Sequence, residues 1–83
     1  MTEYLFTFQS MTQAQNSLSI LRQHGIAAEL GRTPKQLASR GCGYTVSVGE
    51  QAVRAAASAL RSAGRGYVRL YRQRNGAVEE VAL

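Results

Sequence analysis

Twice along this 83-residue chain a short strand-like run gives way to a helical stripe and then to another short run. That double switch of hydrophobic period, from about 2 to about 3.6 and back, constrains the fold more than any other feature. Each stripe and each strand face must find a partner to bury it. Tyr4-Leu5-Phe6-Thr7-Phe8 reads as a strand, with Tyr4, Phe6 and Phe8 on one face and Leu5 and Thr7 on the other. Ser10 is a helix N-cap, and Gln13 three residues on completes a capping box. Met11, Ala14, Leu18 and Leu21 then form one apolar stripe, which Gly25 ends. Ile26 to Leu30 is a weaker strand.

A loop from Gly31 to Gly41 holds the only proline, with a short helical turn at Gln36 to Ser39. Tyr44 to Val48 alternates as a half-buried strand. Gln51 to Ala63 is the second helix, with Val53, Ala56, Ala57 and Leu60 on its buried side. Tyr67 to Arg72 is a fourth strand. Asn75-Gly76 then signals a two-residue hairpin. Pairing outward from that turn sets Arg74 against Ala77, Arg72 against Glu79 and Leu70 against Val81. Val78 to Leu83 is either a fifth, edge strand or a frayed tail. The order β-α-β-β-α-β specifies a single α+β domain over residues 1–83. It is a ferredoxin-like, split βαβ sandwich: an antiparallel sheet with both helices on one face.

A domain this small buries limited apolar surface, and a homodimer is one way to bury more. No apolar run approaches the ~18 residues that span a bilayer. The N-terminus lacks the basic region of a signal peptide, so a cytoplasmic location is expected. One cysteine fits a reducing compartment. The formal charge is +5, with nine arginines and one lysine against five glutamates. Such a balance either solvates the surface or attracts polyanions such as nucleic acid and acidic proteins.

Most catalytic constellations are excluded by composition. The chain has no Asp, a single His and a single Cys, and no glycine-rich phosphate loop. A metal site needs three or four convergent ligands, and none is expected. His24 sits at a helix end, where a histidine serves the helix dipole as readily as it would serve Cys42. Cys42 itself is flanked by Gly41 and Gly43, which leave room for a reacting group to approach. Arg32, Lys35 and Arg40 lie in the same stretch without an acid among them. Nearby positive charge favours the thiolate. Two readings stay open on these residues: a working thiol, or a small buried hydrophobe beside a turn.

Phe6-Thr7-Phe8-Gln9-Ser10, Gly25-Ile26, and Thr33-Pro34-Lys35-Gln36-Leu37-Ala38-Ser39 running into Cys42-Gly43 together resemble the selenium/sulfur carrier protein-like family. Its members are short bacterial and archaeal domains of unassigned function. The resemblance runs from about Tyr4 to Arg72, and the Pro34 to Gly43 loop is its most specific part. It implies a non-enzymatic carrier or accessory protein that holds sulfur or selenium on Cys42 as a persulfide or selenosulfide, with no other cofactor. Lys35 and Arg40 would stabilise the anion, Gly41 and Gly43 would admit the partner's cysteine, and Pro34 would belong to the same binding loop. Donor and acceptor proteins are the implied partners. The competing expectation is a small binding or regulatory module for RNA or protein. It would use the free sheet face with Tyr4, Phe6, Phe8, Tyr67 and Tyr71, and Cys42 would be structural.

Overall fold

The computed structural model describes residues 2–32, 43–64, 66–67 and 69–82. The elements run β1 (Thr2–Phe8), α1 (Met11–Gln23), β2 (Ala28–Arg32), β3 (Tyr44–Gly49), a 3-10 turn (Glu50–Ala52), α2 (Val53–Ser62), β4 (Arg69–Arg74) and β5 (Ala77–Glu80). The sheet order is β2-β3-β1-β4-β5, and every neighbouring pair is antiparallel. This is the ferredoxin-like arrangement expected from the pattern, with β5 added beyond β4.

The start and stop of α1 follow from local chemistry. Ser10 is extended, and its Oγ accepts a hydrogen bond from the Gln13 N–H at 3.2 Å. That satisfies one of the orphan donors of the first turn. At the other end Gly25 adopts φ 74°, where a side chain would be strained. Its N–H bonds to the Arg22 carbonyl at 3.0 Å, and the Ile26 N–H reaches back to Leu21 at 3.0 Å. This paired closure consumes two C-terminal carbonyls and brings Ile26 onto the core beside Leu21.

Phe6, Phe8, Val46, Val48 and Leu70 of the sheet form one core with Ala14 and Leu21 of α1 and with Val53, Ala56, Ala57, Ala59 and Leu60 of α2. Both helices therefore cover the same sheet face. Phe6 and Phe8 are fully buried, each contributing roughly 1.5–3 kcal/mol of apolar transfer. The ring of Tyr67 meets Phe6 edge-on, with centroids 4.8 Å apart.

This corrects the expectation of an aromatic free face. Tyr4, Phe6 and Phe8 point toward the helices, where the largest apolar area is needed. Tyr71 lies on the opposite face, but it is buried with Leu5. Met11 is a second correction. It starts α1 at 46 % exposure, outside the buried stripe, which Ala14, Ser17 and Leu21 occupy.

Three element boundaries also move. The Gly25 closure delays β2 to Ala28–Arg32. The second helix begins as a 3-10 turn and becomes α-helical only at Val53. β4 runs to Arg74 because pairing with β1 continues to Thr2↔Arg74 and the hairpin closes immediately beyond it. Asn75 (φ 51°) and Gly76 (φ 81°) make the left-handed two-residue turn. Arg74↔Ala77 and Arg72↔Glu79 pair as the turn dictates, and the Val81 N–H bonds to the Leu70 carbonyl at 2.9 Å. The residues after the turn thus form a strand, over Ala77–Glu80.

Candidate functional site

The described residues that flank the Pro34–Cys42 stretch in sequence, Arg32 and Gly43, lie at one end of the sheet. There β1 ends, β2 ends and β3 begins, with Tyr44 paired to Phe8 on one side and to Arg32 on the other. Arg32 and Gly43 are the described residues nearest the loop of interest. Pro34, Lys35, Arg40, Gly41 and Cys42 lie outside the described residues, as does the expected helical turn at Gln36 to Ser39. Gly43, the chain neighbour of Cys42, is exposed, and among the described residues no atom beyond its chain neighbours lies within 4 Å of where a Cβ would stand.

Helix α1 starts at the same end, because only Gln9 and Ser10 separate it from Phe8. Its first turn carries no acidic residue. The uncompensated amide groups and the helix dipole make this a locally positive end. Arg32 is exposed there. Helix α2 ends on the same side, since it leads toward β4, whose first residue, Arg69, pairs with Thr7. Arg61 in its last turn turns its Nε onto the Ala57 carbonyl at 3.4 Å. The acids Glu3 and Glu50 sit at the opposite end, around Gly49. An anion brought to the Arg32–Gly43 end meets Arg32 and the α1 amides, beside the Arg69–Glu80 pair and the C-terminal carbonyls of α2.

His24 does not join this site. It caps α1 at the far end of a 13-residue helix, on the order of 20 Å from the Ser10 end. A role as base for a thiol beside Gly43 is disfavoured by that separation. Among the described residues no group of three or more His, Cys, Asp or Glu is placed to hold a metal. No described helix is long and apolar enough to cross a membrane.

Sequence reasoning missed that the Ser10 end of α1 shares a sheet end with Gly43. The signal was present, because in a βαββ unit the first helix starts where the β2–β3 connection lies. The face opposite the helices is mostly polar. It carries the Arg69–Glu80 ion pair at 3.1 Å and the Ser47 Oγ–H donating to the Glu29 carbonyl at 3.4 Å.

The chain matches a family model described as "Putative Se/S carrier protein-like" over residues 3–72. The matched span includes Pro34 to Gly43 and ends inside β4, before the hairpin turn. No curated protein and no solved structure matches the chain.

Proposed function

The chain belongs to the Se/S carrier protein-like family, and from that premise we propose that it carries sulfur or selenium on Cys42 in the cytoplasm. The observation that carries the reading is the family match over residues 3–72, which spans Cys42 and its glycine neighbours. The geometry supports it in two ways. Among the described residues nothing crowds Gly43, and the sheet end it occupies carries Arg32 and the acid-free start of α1.

The chemistry needs one thiol. The Cys42 thiolate attacks the outer sulfur of a donor protein's persulfide. A new S–S bond forms on Cys42 as the donor's S–S bond breaks. The donor's inner sulfur leaves as a thiolate, so no external oxidant or reductant is consumed. Passing the atom on repeats the exchange with an acceptor thiolate. Positive charge at the site favours both the attacking thiolate and the anionic persulfide. Lys35 and Arg40 are the loop cations assigned to that work, and Gly41 and Gly43 admit the partner's cysteine. A homodimer is compatible with this chemistry, because each copy supplies its own thiol.

The test is mass spectrometry of the intact protein after incubation with a cysteine desulfurase and cysteine, together with titration of the Cys42 thiol. The expected result is one added sulfur atom on the Cys42 peptide, removed by dithiothreitol and absent from Cys42→Ser. A slow, high-pKa thiol that never gains sulfur would overturn the reading.

A further inference from the structure

A second region rich in cations lies far from the Gly43 end and, apart from Arg72, beyond the span of the family match. The β4–β5 hairpin and the end of β4 frame a cleft of about 340 Å³, lined by Arg72, Arg74, Asn75, Ala77 and Glu79. Strand alternation puts Arg72 and Arg74 on the helix-facing side of β4, two positions apart, with Leu70 of the core next in line. The helices lie chiefly over β1, β2 and β3, so this corner of the face is uncovered.

The two guanidinium groups are held differently. Arg72 ion-pairs with Glu79, its cross-strand neighbour. That contact first, and the Tyr4 phenol after it, favour its charged form, so Arg72 stays a cation at any working pH. Arg74 faces Ala77 across the hairpin, which supplies no carboxylate. Its Nε donates to the Thr2 hydroxyl at 3.0 Å. That bond steers the side chain while its two terminal nitrogens make no hydrogen bond to a described residue. With one acid against two arginines, the cleft has an excess of one positive charge.

We propose that this cleft is a binding site for a small phosphomonoester, with Arg74 as the principal phosphate ligand. A guanidinium edge matches two phosphate oxygens at once. The Asn75 amide at the rim offers a further donor. The volume exceeds that of a bare phosphate and falls at the lower end of the range for organic ligand pockets. Ala77 supplies a short apolar wall for the organic body.

The experiment is a titration of the full-length protein at fixed ionic strength, followed by amide-resolved NMR. The probes are inorganic phosphate, ribose phosphate, adenosine monophosphate, malonate and a short single-stranded oligoribonucleotide. Saturable shifts confined to Arg72–Glu79 with a phosphomonoester, tighter than with malonate, are the expected result. Arg74→Gln weakens that binding at least about tenfold, the scale of one charge-assisted bidentate contact. Ala77→Leu, which fills the cleft and keeps both arginines, weakens it as well. Arg54→Gln, on the exposed side of α2, leaves it unchanged. Malonate binding as tightly, an oligoribonucleotide binding where the monoesters do not, or Arg74→Gln binding like the parent each overturns the assignment. Loading of Cys42 with sulfur is a separate readout, so failure of either proposal leaves the other standing.

Discussion

The hydroxyl of Thr7 serves both backbone groups of Arg69: it donates to the Arg69 carbonyl at 3.1 Å and accepts from the Arg69 N–H at 3.0 Å. Thr7 is almost fully buried, and these bonds close the β1–β4 ladder at the sheet end where Gly43 lies. Replacing the hydroxyl by a methyl of similar size leaves two backbone groups without their partner. An unsatisfied buried group costs about 1–3 kcal/mol. Thr7→Val is expected to lower the unfolding free energy by that amount, seen as a lower urea midpoint, while Thr7→Ser retains most of the parent stability. Equal midpoints for Val and parent would show that water replaces the hydroxyl without loss.

Gly76 and Gly43 separate conformational need from spatial need. Gly76 sits at φ 81° in the hairpin turn, and a Cβ there meets the steric penalty of the left-handed region, about 1–2 kcal/mol. Gly43 lies outside that region, and no described residue beyond its chain neighbours lies within 4 Å of a Cβ placed there. Gly76→Ala is therefore expected to lower stability by about 1–2 kcal/mol, and Gly43→Ala to change it by no more than about 0.5 kcal/mol. Chemical denaturation of the two variants side by side checks the contrast. A large loss at Gly43 would mean that its backbone is constrained in some way other than by φ or neighbours.

What was legible in the sequence is whatever short-range chemistry decides. Asn75-Gly76 sets the hairpin register by itself, so the sequence alone pairs Arg72 with Glu79, as the strands do. Ser10 and Gly25 bound α1 for the same reason. Strand alternation also separated Phe6 and Phe8 from Leu5 and Thr7, but it does not say which of two faces the helices cover. That choice depends on packing between distant segments, and it sent the aromatic side of β1 into the core. The candidate thiol was legible only as chemistry. Pro34 to Gly43 has no hydrophobic period, so nothing in the pattern assigns its shape, while charge and the glycine pair still mark Cys42.

The alanines of α2 set how closely it sits on the sheet. Ala56 and Ala57 are fully buried in the core that holds Phe6 and Val46. Adding three heavy atoms at either position forces the helix away from the sheet or the neighbours off their rotamers. Overpacking of this kind costs about 1–3 kcal/mol. Ala57→Leu is expected to reduce thermal stability accordingly. Ala55→Leu, on the exposed side of the same helix, should be nearly silent. If both variants unfold at the parent temperature, the α2–sheet contact is looser than the burial of Ala57 implies.

The positive character of the Gly43 end can be read out without any biological partner. Iodoacetate and iodoacetamide alkylate the same thiolate, but only the first is an anion, so their rate ratio at Cys42 reports the local potential. Arg32→Glu and Arg22→Glu change the net charge identically. Arg32 lies at the Gly43 end, and Arg22 lies in the last turn of α1 at the far end. Arg32→Glu is expected to lower the iodoacetate-to-iodoacetamide ratio by a factor on the order of a few, and Arg22→Glu to leave it close to the parent. Added salt should erase the difference as the screening length falls from about 10 Å at 0.1 M to about 3 Å at 1 M. Cys42→Ser must abolish labelling altogether, since it is the only cysteine. Equal effects from the two reversals would mean that the thiol senses only net charge, and the electrostatic support for a carrier at this end would be withdrawn.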